Sequence, residues 1–545
     1  MKWIQRPLSL LLSAALIFTL LAACGGDSAE TSAAPSGSAP AATETEKDTF
    51  TVVLDSDIVA LDPAFAYDFT TNPVVNQITQ GLLVFDDENQ IQPMLASDWE
   101  QVDDVTYVFQ IRDDVTFSDG SAMTMDDVLF SLERTASEET ASFLGWMFDG
   151  VSSMEQTGDW ELTITLSQPD ASFKYYVATC AFHVISKAHA ESAGDQLGTP
   201  EGGLMGTGPY QFVSWQNGTE VVLTRNENYW GDDPAYFDNL VFKIIGESTT
   251  QVTALQTGEV DCSVAPPYDM LEVLESDPNL TLQANNGFGV QYIAFNNAKA
   301  PFDDVNVRKA IYHAINFQAI LDNLVKEAGT AAGLLPSSEA LFTIEPERWT
   351  EYAATKPALE YDVDQAKALL AEAGLADGFD CNLYISSTSL ANSIGLAIQN
   401  DLDQVGINVE LIKVSTDEHT AYQFGDILGD DGLRAYDMIL AGWEADVPDP
   451  AGNLTPLYQG GNSSNAAAYS NTEVDELISL QAQSSDPTER NDLMFQAFDI
   501  ITEDVPYIFV YYPTKNLVMN SNYTGVTMGA AWSWNMRFQD ARPVE

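Results

Sequence analysis

The sequence predicts a mixed α/β protein built from two or three lobes, and three observations carry that reading. A chain of 545 residues exceeds what one ordinary hydrophobic core organises. Its hydrophobic content of 45% with 10% aromatic residues belongs to a globular chain rather than a disordered one. Period-two alternation dominates before about residue 200, whereas strands and helices alternate after about residue 290.

Taken in order, Thr49-Phe50-Thr51-Val52-Val53-Leu54 opens as a strand, and LDPAFAYDFTTNP follows as a polar and aromatic loop. Val74 to Leu83 reads as a helix whose end is marked by Gly81. Tyr107, Phe109 and Ile111 share one face of a strand; Trp160, Leu162, Ile164 and Leu166 share one face of another. Between them Asp119-Gly120 signals a turn and MTMDDVLFSLERT a helix. VRKAIYHAINFQAILDNLVKEAG places Val307, Ile311, Ala314, Leu321 and Leu324 on one helical stripe, stopped by Gly329. Asp362 with Gln365 resembles a capping box at the start of a helix that Gly374 ends. The strands DCNLYIS and INVELIKV lie between helices, and there is no internal repeat.

The N-terminus carries processing signals. Lys2 and Arg6 precede the apolar run LSLLLSAALIFTLLAA, the layout of a signal peptide over 1–23. Leu21-Ala22-Ala23-Cys24 resembles a bacterial lipobox, so Cys24 is the expected lipidation site. Residues 24–48, rich in Ser, Ala, Gly, Thr and Pro, read as a tether with a typical end-to-end distance of roughly 25–30 Å. No later run approaches the roughly 20 apolar residues of a span. A lipid anchor is then the expected membrane contact. Cys180, Cys262 and Cys381 are not in CxxC pairs, which leaves structural thiols, or one disulfide plus a free thiol.

Charge and motif exclude several functions. Lys+Arg 22 against Asp+Glu 81 gives a formal charge of −59, which repels nucleic acid and anionic lipid. His183, His189, His313 and His419 form no HExxH or HxH pattern, so no metal site is expected. GxSxG and GxxxxGK[ST] are absent, and GTGPY at 206–210 is a turn rather than a nucleotide cradle. A glycosidase needs only two carboxylates and aromatic platforms, but 81 acids supply such pairs by chance. The chain is expected to be neither an enzyme nor a cofactor protein.

Several stretches, in order, resemble the family-5 extracellular solute-binding proteins, the dipeptide- and oligopeptide-binding components of ABC importers. They are LDPAFAYDFTTNPVVNQITQGLLVFDDENQIQPMLASDWE, YVFQIRDDVTFSDGSAMTMDDVLFSLER, GTGPYQFVSWQNGTEVVLTRNENYWG, ALQTGEVD, FNNAKAPFDDVNVRKAIYHAIN, YDVDQAKALLAEAG and AYDMILAGWEADVPDP before AAYSNTEVDELI. Together they cover nearly all of residues 50–512.

The resemblance implies a two-lobed, periplasmic-binding-protein-like fold (type II, cluster C) with an extra strand-rich subdomain. Lobe 1 would span 49–290 with the subdomain at about 83–200, lobe 2 would span 291–508, and 509–545 would return to lobe 1. The hinge crossings are expected near 286–294 and 505–512. In Gly442-Trp443-Glu444-Ala445-Asp446 the resemblance makes Asp446 the partner of a peptide α-ammonium and Trp443 an apolar or cation–π wall. The competing reading has Asp446 capping a turn before Pro448 and Pro450. Asp449 is expected to hold the loop and Glu444 to point away. Tyr67, Asp68 and Phe69 match by spacing a stretch that pairs with bound peptide. No arginine is assigned to the ligand's carboxylate; Arg434 is near in sequence only.

The implied function is a monomeric lipoprotein in the cell envelope, at the outer face of the bacterial cytoplasmic membrane or in the periplasm. It would capture di- or oligopeptides and deliver them to an ABC permease complex. Oligosaccharides, nickel complexes and opines are alternative ligands within the family. An extracellular glycoside hydrolase and a sensing lipoprotein without a permease are the readings from other classes.

Overall fold

The computed structural model describes residues 48–544. The signal peptide, Cys24 and the tether lie outside the described residues. The rest is a mixed α/β protein of two lobes organised on a 12-stranded sheet. From one edge its main path runs through Tyr210–Gln216, Glu220–Arg225, Asn239–Ile244, Thr49–Leu54 and Cys262–Ser263. It continues through Tyr507–Asn520, Gly289–Phe295, Met438–Glu444, Phe379–Ser386 and Ile407–Val414.

Strand Tyr507–Asn520 belongs to both lobes. Tyr507, Ile508 and Phe509 pair with Ala294, Ile293 and Tyr292, whereas Thr514 to Asn520 pair with Asn286 to Leu280. Its side chains divide in the same way. Ile508, Val510 and Tyr511 pack with Phe295, Ile311 and Leu383, while Leu517 and Met519 pack with Phe50, Val52 and Phe242. The second crossing is the short link between Leu280–Asn286 and Gly289–Phe295. The chain changes core near 286–289 and again near Pro513.

The strand-rich region forms its own antiparallel sheet, ordered Ala96–Asp103, Thr106–Ile111, Glu161–Leu166, Val151–Gly158. Tyr107, Phe109, Ile111, Leu162, Ile164 and Leu166 face its core as the alternation predicts, and Trp160, in the turn before its strand, packs half-buried against the same core. Helix Met125–Ala136 covers it, opened by a Thr124/Asp127 capping box and tied to the first loop by Arg134–Asp62.

Two helices differ from expectation. The first runs Thr71–Ile78 rather than Val74 to Leu83. The GTGPY turn stops it: Gly208 N–H donates to the Ile78 carbonyl at 2.9 Å. A Cβ on Gly206 or Gly208 would fall 2.2 or 2.4 Å from a carbonyl oxygen of that helix, so only glycine permits the approach. Gly81 instead lies in a short strand paired with His183. The long stripe from Val307 breaks after Ala314. Asn316 N–H donates to Asp401 and its side chain caps the next turn at Ala319. Asp362 caps its helix, accepting from Asp364 and Gln365 N–H, but the reciprocal half of the expected capping box is absent, because Asp362 N–H donates to the His313 carbonyl at 2.8 Å. Cys180, Cys262 and Cys381 are all buried and unpaired, which removes the disulfide alternative. Burial pushes the Cys381 thiol up to about 12. Among the described residues no helix is long and apolar enough to cross a membrane.

Buried Arg308 sets the entry to strand Tyr507–Asn520. Its guanidinium donates to the carbonyls of Phe302, Asp504 and Val505 at 2.7–3.1 Å, closing helix Pro487–Asp504 at its negative end. Arg308→Met strands these carbonyls and is expected to cost about 3 kcal/mol in urea unfolding. A loss within the scatter of surface substitutions would show that Arg308 does not hold this end.

Candidate functional site

Strand Met438–Glu444 ends in the lobe-2 wall of a cavity of about 960 Å³. The opposite wall comes from the subdomain, through Trp146, Asp170, Ser172 and Tyr176, with Tyr67 from the first loop. Helices Ala451–Tyr458 and Thr472–Gln483 supply the remainder. Gly452 lets the first of these helices lie against the loop, since a Cβ there would meet the Ala445 Cβ at 2.8 Å.

Asp446 is held between elements far apart in sequence. Tyr67 Oη donates to its Oδ1 at 2.7 Å, and Trp534 Nε1 donates to its carbonyl at 2.6 Å. Burial is the largest influence on the carboxyl and raises it to about 6, assisted by the charge of Glu444 and opposed by the Tyr67 hydrogen bond. The same pair, with burial first, drives the Tyr67 hydroxyl well above its ordinary value. Trp443 is fixed by its Nε1–H donating to the Gly452 carbonyl at 2.8 Å. Trp146 and Tyr176 meet edge to face at 5.4 Å on the other wall.

Asp449 is fully buried and bonded to Arg490, with Nη2 at 2.8 Å from Oδ2 and 3.0 Å from Oδ1. Ser172 Oγ donates to Asp449 Oδ2 at 2.6 Å, so this ion pair also seats the subdomain. Alongside it, Ala171 N–H donates to the Ala482 carbonyl at 2.9 Å. Asp449 Oδ1 further accepts the Ala451 N–H, which starts the helix after the prolines. Glu444 turns out of this cavity to Lys515, 2.7 Å away.

The five ligand-site candidates separate. Asp446, Trp443 and Tyr67 line the large cavity. Asp68 and Phe69 line a second space of about 550 Å³ beside Lys515 and Trp532. Asp68 spends Oδ1 on the N–H groups of Thr70 and Thr71, at the head of helix Thr71–Ile78. Phe69 stacks on Trp532 at 5.5 Å and lies under the Lys515 ammonium at 4.4 Å. Arg434 lines neither space; it donates to the carbonyls of Gln423, Ser463 and Asn465. Sequence reasoning did not single out Trp146, Tyr176, Ser172, Gln481 or Arg490. No local pattern marks them, because they meet the loop only through packing of the two walls. Among the described residues no group of three or more His, Cys, Asp or Glu is placed to hold a metal.

An interlobe cavity with this architecture can be compared with known proteins. Residues 90–465 match the family described as bacterial extracellular solute-binding proteins, family 5 Middle. The chain belongs to this family. The glutathione-binding protein GsiB of Escherichia coli (strain K12) is 28% identical over 481 residues, 87% of this chain and 91% of that protein. Its counterpart from Salmonella typhi is 29% identical over the same shares. Among solved structures, the periplasmic binding protein DppA from Helicobacter pylori, in complex with peptide STSA, has a TM-score of 0.73 at 25% identity. The match covers 91% of this chain and 98% of that one. The substrate-binding protein CtaP from Listeria monocytogenes shares the fold with a TM-score of 0.79 at 21% identity, covering 92% and 100%. The family is one of substrate-binding proteins of ABC transporters.

Two outcomes follow for this family member's cavity. Asp449→Asn leaves the buried Arg490 without its counter-charge and is expected to destabilise the protein by about 3–5 kcal/mol in chemical unfolding. A cost under about 1 kcal/mol would mean the pair is not the brace described. Asp446 works in the opposite direction. Its folded carboxyl lies above the ordinary carboxylate value, so it opposes folding increasingly as pH rises past the unfolded value, fully above about 6, and not at all well below the unfolded value. Asp446→Asn is therefore expected to stabilise the ligand-free protein by about 2 kcal/mol at pH 8 and by little at pH 4, read as urea midpoints. An equal effect at both pH values would contradict the desolvation account.

Proposed function

We propose that this chain is the substrate-binding lipoprotein of an ABC importer, taking peptides by their α-ammonium group into the cavity at Asp446 and handing them to a permease. The observation that carries this reading is a half-buried, desolvated carboxylate at the end of an aromatic-lined interlobe cavity, with a neutral hydroxyl and no cation as its partner. An ammonium placed there restores what burial removed and makes charge-assisted hydrogen bonds in a poorly hydrated space. Trp443, Tyr67 and the Trp146–Tyr176 pair offer faces to the same cation and to apolar side chains. The cavity volume lies near the upper end for bound small molecules, which suits a ligand longer than one amino acid. The relatives named for glutathione and the neighbour complexed with a peptide support the same ligand class.

The remainder of the reading is anchorage and delivery. Cys24 would carry the lipid and residues 24–48 would let the body work just outside the membrane, as a monomer. No cofactor enters this function. Its steps are capture, closure of the two walls and release to the permease, with no bond made or broken.

Mass spectrometry of small molecules retained by the purified protein is expected to find amine-terminated peptides. A sugar or metal complex in their place would overturn the peptide class. Asp446→Asn is expected to weaken binding of free-amine peptides by about 2–5 kcal/mol in calorimetry. The ammonium requires the ionised carboxylate, so affinity should fall by up to about ten-fold for each pH unit below 6. Affinity flat from pH 7 to pH 4.5 would remove Asp446 from the ligand's path.

A further inference from the structure

The large cavity has an unusual charge inventory. Asp149, Asp170, Asp446 and Asp449 line it, and among the described residues no lysine, arginine or histidine does. Arg490 lies behind Asp449 and is neutralised by it. Lys515 belongs to the other space and is held by Glu444. A ligand with a free carboxylate would meet no cation in this wall.

Among the described residues, the wall holds one buried side-chain donor without a partner. Gln481, 1% exposed, lines the cavity on helix Thr472–Gln483. Arg490 Nε donates to its Oε1 at 3.1 Å, and because a guanidinium only donates, that bond fixes which end of the amide faces the arginine. The other end, Nε2, is buried and has no acceptor. A buried donor left without a partner is costly and rare, and a neutral carbonyl oxygen is the partner that an acidic neighbourhood tolerates.

The geometry points to Gln481 as a specificity residue that donates to a neutral carbonyl of the ligand, so that the cavity selects an amine-bearing peptide without reading a C-terminal carboxylate. This rests on the proposed peptide-binding role and narrows it. The ligand is then recognised by its ammonium at Asp446 and a backbone or side-chain carbonyl at Gln481, and its acid end is irrelevant or unwelcome.

The test uses two mixed-sequence tetrapeptide pools, identical except for free-acid or amide C-termini, incubated with the mature protein and with Gln481→Glu. Retained peptides are quantified by mass spectrometry. Gln481→Glu keeps an oxygen for Arg490 and replaces the donor by an acceptor. The wild type is expected to retain the amide pool at least as well as the acid pool, and Gln481→Glu to lose both by about ten-fold. That loss runs against simple electrostatics, since an added carboxylate should attract cationic peptides. Preferential retention of the acid pool, or full retention by Gln481→Glu, would overturn the inference while leaving the peptide role intact. Retention of neither pool by the wild type would instead overturn the peptide role, and the inference with it.

Discussion

The architecture depends on one constraint: strand Tyr507–Asn520 must serve two hydrophobic clusters in one lobe and then two in the other. A continuous strand keeps its backbone hydrogen bonds while its neighbours change, so the lobes stay joined by a sheet and not by loose linkers. Pro513, which has no N–H to donate, stands where the partners change. The parallel link through Gly287 and Phe288 gives the second crossing. The two crossings therefore lie side by side as extended chain. Arg308 extends this control backwards by fixing where helix Pro487–Asp504 ends and the strand begins.

The loop after Met438–Glu444 is where this frame meets the opposite wall. Thr343 holds it through the Pro448 carbonyl, Arg490 through Asp449, and Trp534 through the Asp446 carbonyl. Backbone and side chain therefore have separate duties at Asp446. Its carbonyl is committed to the lobe, while its carboxylate has only the neutral Tyr67 hydroxyl.

Much of the frame was legible because it is encoded locally. Alternation at Tyr107, Phe109 and Ile111 and the Asp362 cap are readable within a few residues. The helix at Thr71–Ile78 was misjudged because its end is set by Gly206 and Gly208, well over a hundred residues later. The break after Ala314 likewise depends on Asp401. The cavity follows the same division. Asp446, Trp443 and Tyr67 stand in motifs with a family order, whereas Gln481 and Trp146 acquire meaning only when the subdomain and the helix Thr472–Gln483 face each other. Asp68 and Phe69 show the limit of spacing: one and two residues along from Tyr67, they serve a helix head and a different space.

Three acids within six residues of one loop have three different physical situations. Glu444 is neutralised by Lys515, and Asp449 is neutralised by Arg490 and buried completely. Only Asp446 is left half-buried with a neutral hydrogen-bond partner, and desolvation accordingly lifts its carboxyl. A protein could relieve that cost by placing a lysine nearby or by replacing the acid. Retaining an uncompensated carboxylate makes the empty cleft less stable and the occupied cleft correspondingly more so, when the occupant is a cation. The free-energy difference between those two states is what binding can use to bring the walls together, because a ligand shifts a conformational equilibrium only by its differential affinity for the two states. Glu444 and Asp449 already have counter-charges, so of these three acids Asp446 is the one whose charge a cationic occupant would balance.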